Sequence, residues 1–240
     1  SASAAGKGAY AARIALDSIE IRNKHRTDRI RPTSVSLHTD SAATRAEAAS
    51  GDLSLTFSTP QSADSLIAAL TRSARALAGQ IDAQSIDMEQ LKPALPDFAL
   101  RVSAGPDNIL NSLLKSRKIA FDALNAEGAN CDSLPVSIRL RTEGLAYGNV
   151  VLDTVTADIR QNGKRLEYAL GLANAPGNLD NIARAGLYGH LVRNTGQANL
   201  YQRNRAGREG FRFGLDVTWT DSLVRASVTP PDPVSYTHLR

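Results

Sequence analysis

Residues 210–220 read GFRFGLDVTWT. Phe211, Phe213, Leu215, Val217 and Trp219 are apolar, and Arg212, Gly214, Asp216 and Thr218 between them are not. A period of two is the mark of a β-strand with one greasy face and one wet face. At about 3.3 Å per residue the stretch from Phe211 to Trp219 is roughly 30 Å long, against a usual strand of about five or six residues.

The same alternation runs through most of the 240 residues. It sets Leu53, Leu55 and Phe57 on one side of GDLSLTFST, Phe98, Leu100 and Val102 on one side of DFALRVS, and Val136, Ile138 and Leu140 on one side of VSIRLRT. Further strands are expected at YAARIALDSIEI, TSVSLHT, NVVLDTVTADIRQ, RLEYALGLA and GQANLYQ. Turn residues punctuate them, with Asn162-Gly163 expected to make a tight hairpin and Gly207 to supply a permissive backbone.

Two stretches break the period. From Ser62 to Ala83 the positions Leu66, Ile67, Leu70, Ala74, Leu77 and Ile81 recur at helical spacing behind a Ser62 cap. This helix is expected to cap the sheet, because its apolar stripe is otherwise exposed. SIDMEQLKPALPD continues it as a shorter helix or turn, closed by Pro93 and Pro96, and PDNILNSLLKSR starts a second helix at Pro106. Asp107 is expected to cap that second helix. No βαβ rhythm appears, which excludes a doubly wound parallel sheet.

Composition narrows the function. The 28 basic and 24 acidic residues leave a net charge of +4, and basic residues are scattered among acidic ones, which excludes a nucleic-acid reader. The tightest basic cluster, RNKHRTDRIR from Arg22 to Arg31, is expected to be a solvated loop. Cys131 is alone and His25, His38, His190 and His238 are far apart, so no disulfide and no metal-ligand spacing is present. No nucleophile elbow, phosphate loop or dinucleotide fingerprint occurs. Asp153 and Asp158, five apart in a strand, point to opposite faces and share no acid–base work. His190 in GLYGH is read as structural. The expectation is a protein that is not an enzyme and carries no cofactor.

A long half-apolar strand has to hide one face. On pattern alone a closed sandwich or barrel is the simplest solution, as in a structural β-domain of a surface protein. An open sheet offering its apolar face to acyl chains is the other, and the aliphatic bias of the inward set, with aromatics at 5% of the chain, suits acyl chains better than sugars or bases.

The runs ALPDFALRVSAGPDNILNSLLKSRKIAFDALNAEGA, LRTEGLAYGNVVLDTVTADIRQNGKRLEYALGLANAP and GLYGHLVRNTGQANLYQRNRAGREGFRFGLDVTWTDSLVRASVTPPDP resemble the TamB family of the AsmA-like group, over about Gly51 to Pro233 and with G-x-x-N at Gly105 to Asn108. The resemblance implies a mainly β fold, a long curved antiparallel groove, taco-like in section, with an amphipathic helical insertion. It also implies a periplasmic place, an inner-membrane anchor, phospholipid acyl chains as cargo, a TamA-like outer-membrane barrel as partner, and a part in outer-membrane biogenesis. The groove is then lined by Leu53, Leu55, Phe57, Phe98, Leu100, Val102, Val136, Ile138, Leu140, Phe211, Phe213, Leu215, Val217 and Trp219. A second implied role is a scaffold for outer-membrane protein assembly that pairs its strand edges with nascent strands.

The expected organisation is groove strands over 1–59, a helical insertion over 60–95, and groove strands over 96–233 with a short helix near 106–117. The last seven residues, VSYTHLR at 234–240, resemble the translation of a transposon-end sequencing adapter and are set aside. Residue 1 is Ser and Met88 is the single methionine, so the chain is expected to be a fragment of a longer protein.

Overall fold

The structure, a computed structural model, describes residues 2–4, 9–17, 19–22, 27–174, 183–220 and 223–230. The adapter-like tail and His25 of the basic cluster lie outside the described residues.

The chain begins with β1 (Ala2–Ala4) and β2 (Tyr10–Leu16), a short hairpin β3 (Ile19–Arg22) and β4 (Thr27–Ile30), then β5 (Thr33–Thr39), β6 (Thr44–Ser50) and β7 (Leu53–Thr59). Helices α1 (Ala63–Asp82) and α2 (Met88–Leu91) and a 3-10 turn (Lys92–Ala94) lead to β8 (Phe98–Ala104). Helix α3 (Ile109–Lys115) and the two-residue β9 (Ile119–Ala120) precede the long meander. That meander is β10 (Ala123–Cys131), β11 (Leu134–Tyr147), β12 (Val150–Asn162), β13 (Arg165–Asn174), β14 (Arg184–Val192), β15 (Thr195–Arg203), β16 (Glu209–Thr220) and β17 (Leu223–Thr229).

Fourteen strands follow one another in a single antiparallel path, β1-β2-β5-β6-β7-β8-β10 and on to β17, while β9 pairs beside β10 on β11 and β3-β4 pair only with each other. The two ends of the path, β1 and β17, do not pair, so the sheet is open. The protein is mainly β, and the closed sandwich or barrel is not what this sequence builds. Part of the basic cluster, expected as loop, is instead strand: Arg22 closes β3, and Thr27–Ile30 form β4. The two strands pair antiparallel, with Ile19 opposite Ile30 and Arg22 opposite Thr27.

Turns follow their residues with one shift. Asn162 pairs with Arg165, so the hairpin between β12 and β13 turns on Gly163-Lys164 and not on Asn162-Gly163. Gly163 sits at φ +58°, the left-handed conformation that costs glycine little.

Candidate functional site: an uncovered apolar face

Register decides what the strands present together. Ile14 lies opposite Val35, and the row continues through Ala48, Leu55, Val102, Ala126, Leu140, Ala157, Leu170, Leu187 and Leu200 to Phe213, across twelve strands without a polar residue. A parallel row runs Ala12, Leu37, Ala46, Phe57, Leu100, Gly128, Ile138, Ile159, Tyr168, Gly189, Ala198, Leu215 and Val228. The rows are two residues apart on every strand, so they share a face. All fourteen residues expected from the sequence lie on this face.

No second layer among the described residues covers most of it. Among the described residues only Ala69, Met88, Leu91, Ala104, Phe121, Val136 and Tyr201 are buried apolar side chains. Leu170, Leu200 and Phe213 are 43%, 40% and 40% exposed. Leu53, Leu55, Phe57, Phe98, Leu100 and Val102 are half-buried while their strand neighbours are exposed. Phe57 and Phe98 add a stacked pair with centroids 6.4 Å apart.

The opposite face is wet. Arg101 pairs with Glu127 at 3.2 Å, Arg139 with Asp158 at 3.5 Å and Arg160 with Glu167 at 3.0 Å, each across neighbouring strands. Burial pushes the Glu167 carboxyl up, but hydrogen bonds from Asn162 and Arg160 outweigh it and hold the group below its ordinary range. These pairs neutralise one another across the strands. His190 and Asp158 take their places on it as ladder residues; Glu167 lies opposite His190.

One end of the apolar face does carry a cover. Residues 62–95 form a strap that leaves the sheet at β7 and returns at β8. Met88 and Leu91 pack on Val136, joined by Ala76, Ile86, Leu95 and Leu166. Val136, expected to line an open surface, is therefore buried beneath the strap. Trp219 is also engaged there, its indole N–H donating to the Gln84 carbonyl. Lys164 meets Glu89 at 3.0 Å, and Arg193 meets Asp87 at 3.2 Å.

Helix α1 packs by an unexpected sector. Ser62 caps it as its sequence predicts, accepting from the Ser65 amide. The covered side is Ala69 with the half-buried Leu66, Ser73, Ala76 and Gln80, and Ser73 donates to the Ala94 carbonyl at 2.6 Å. Ile67, Leu70, Leu77 and Ile81 stay 63%, 52%, 41% and 59% exposed. The expectation that the apolar stripe is what packs is corrected: Ile67, Leu70, Leu77 and Ile81 stay outside, and smaller residues a step round the helix, Ala69, Ser73 and Ala76, are the covered ones.

At the other end of the strands a polar knot closes the edge. Asn108 caps α3 by accepting from the Asn111 amide at 2.9 Å, which corrects the expected Asp107 cap. Asp107 instead accepts from Arg31 at 2.7 Å. Asn108 donates to Asp52 at 2.7 Å, and Asn111 holds both the N–H and the carbonyl of Phe121, at 3.2 and 2.8 Å. Burial raises the Asp52 carboxyl pKa, but hydrogen bonds from the Asn108 amide and from the Asp107 and Gly105 backbones win and lower it.

Sequence reasoning missed Ala46, Ala48, Ala126, Gly128, Gly189 and Ala198 on the apolar rows. Alanine and glycine carry no hydrophobic period, and only the register shows them filling places between larger neighbours. No protein family, curated protein or solved structure matches the chain.

Proposed function

We infer that the protein shields lipid acyl chains on its uncovered apolar face. The reading is carried by one observation: two adjacent apolar rows cross at least twelve strands and lack a covering layer over most of their length. Moving an acyl chain through water costs about 0.8 kcal/mol per CH₂, so a chain of about 16 carbons faces on the order of 12 kcal/mol, a factor near 10⁹. A continuous apolar track removes most of that barrier, with headgroups left in water. No polar anchor and no catalyst is required.

A trough shape is supported by a comparison of lengths. The strap bonds to β5 at its start, where the Ala63 amide donates to Thr39 Oγ1 at 3.0 Å, and to Trp219 of β16 near its far end. Ten strand-to-strand steps separate β5 from β16, about 48 Å along a sheet. The 20-residue helix that spans most of the distance is about 30 Å long. A sheet bent round the strap into a groove reconciles the two lengths, with the helices as an insertion across its end.

The reading places the protein with TamB-like, AsmA-related bridge proteins of the Gram-negative periplasm. Such a protein is anchored in the inner membrane, carries phospholipid acyl chains toward the outer membrane and meets a TamA-like barrel. A second reading, strand-edge pairing with nascent outer-membrane strands, draws on β17, whose outer side lacks a strand partner among the described residues and whose Val224 and Val228 are 66% and 70% exposed.

The test is incubation of the chain with phosphatidylethanolamine vesicles carrying a photoactivatable palmitoyl chain. Lipid adducts on the protein are expected, with loss of labelling in Leu200→Asp and no loss when proline is placed in β17. An unlabelled protein overturns lipid shielding; labelling abolished only by the β17 proline favours the edge.

A further inference from the structure

The strap is attached to the sheet in two unlike ways. Its covalent connections run to β7 and β8, which are neighbours in the sheet. Near β7 its start is fixed by the buried hydroxyls of Thr39 and Thr44, 2.8 Å apart, with Thr44 donating to the Gln61 carbonyl at 2.8 Å. Near β8, Asn130 donates to the Pro96 carbonyl at 2.8 Å. Everything beyond that side is non-covalent.

Beside the apolar contact on Val136 and the Lys164–Glu89 pair, the far attachment has one main-chain bridge. Ile86 and the turn residue Arg193 exchange two backbone hydrogen bonds, at 2.9 and 2.7 Å, as an isolated bridge outside any strand. The Arg193 guanidinium reaches Asp87, and Trp219 reaches Gln84. Asp87 is committed twice, because its other carboxylate oxygen accepts from the Glu89 amide at the start of α2.

Backbone conformation singles out the same point. Among the described residues three that are not glycine have positive φ, and two of them are Gln84 at 49° and Arg193 at 51°. Glycine relaxes both places, one ending a helix and one turning a hairpin. The sequence keeps side chains there, and the Arg193 side chain is the one that holds Asp87. Side chains in this conformation persist where the surrounding contacts over-determine the backbone, and here those contacts are the ones between strap and turn.

We propose that the strap is a gate across one end of the acyl track, hinged at β7 and β8 and latched to the β14–β15 turn by Arg193, Asp87 and Ile86. When latched, it covers Val136 and Leu166 and blocks that end of the apolar rows. When released, it swings with α1 and opens that end, at Val136 and Leu166, to an acyl chain. This proposal rests on the lipid reading of the same face.

A disulfide tests it. In an antiparallel pair that exchanges both hydrogen bonds, Cα atoms are about 5.5 Å apart, within the roughly 4.4–6.8 Å that a disulfide spans. Ile86→Cys with Arg193→Cys, in a Cys131→Ser background, locks the latch when oxidised and lacks the Arg193 ion pair when reduced. The probe is the photoactivatable palmitoyl phosphatidylethanolamine vesicle. Labelling of the β11 peptide that holds Val136 is expected to be lost on oxidation and to return on reduction, while labelling at Leu200, which the strap does not cover, persists in both forms. Arg193→Gly, which suits the turn and removes the latch side chain, is expected to label more than the parent chain.

Equal labelling of the Val136 peptide in the oxidised and reduced forms, with Leu200 labelled in both, overturns the gate and leaves lipid shielding intact. No labelling of any form overturns both. Circular dichroism of Arg193→Gly checks that the sheet is unchanged, so that a loss of labelling in that variant with an intact fold also counts against the gate.

Discussion

At the knot beside α3, Asn108 and Asn111 are each 1% exposed, while on the apolar rows Leu200 is 40% exposed and Ile138 45%. The usual assignment of inside and outside is reversed between the two regions. The asparagines are buried because the nitrogen and oxygen of each side-chain amide find partners. The leucines are left out because one sheet layer has nothing to pack against. The fold is therefore held by ladder hydrogen bonds, cross-strand pairs and closed ends, and its apolar face is available for another occupant.

Breaking the knot should have the largest effect. Asn111→Ala removes both partners of the Phe121 backbone in a buried place, and a loss of roughly 3 kcal/mol in denaturant unfolding is expected. A change below about 0.5 kcal/mol would place the knot outside the cooperative unit.

Leu200→Ala should cost far less than the roughly 2–5 kcal/mol of a sealed core, about 1 kcal/mol for a side chain already 40% exposed. The same unfolding measurement checks it. A loss above about 3 kcal/mol would mean that the face is covered in solution.

Acid gives a smaller, directional signal. Asp52 has its carboxyl pKa lowered in the folded state, so its contribution is full above the ordinary carboxylate range and is lost as pH falls through the folded value. Stability should decline on acidification below about pH 4, and Asp52→Asn should flatten part of that decline. An unchanged slope in the variant would remove Asp52 from the account. Least of all, Arg101→Ala should shift stability by under about 0.5 kcal/mol, since its pair with Glu127 is 75% and 55% exposed.

Much of this was legible in the residues. Strands built from large alternating side chains, such as Leu53–Thr59, Phe98–Ala104 and Glu209–Thr220, announce themselves, and so does the Ser62 cap of α1. Strands β6, β10 and β14 do not, because Ala46, Ala48, Ala126, Gly128, Gly186 and Gly189 weaken the period that marks a face. Pairing of β7 with β8 across the whole strap is a non-local choice that no local pattern encodes. Helix α1 was legible as amphipathic, yet its packed sector was not, since Ala69, Ser73 and Ala76 make contact through small size and the larger Ile67 and Leu77 stay outside. The capping asparagine lost to Asp107 on residue type alone, because both are good caps and only Arg31, 76 residues away in sequence, claims the aspartate.

The most direct measurement is a photo-crosslinking scan along β16 in cells, with the probe placed in turn at Phe211, Phe213 and Leu215 and then at Arg212, Asp216 and Thr218. Lipid adducts at the first three positions and none at the second three are the result this account predicts. Adducts at neither set, or equally at both, would contradict an apolar face that shields acyl chains.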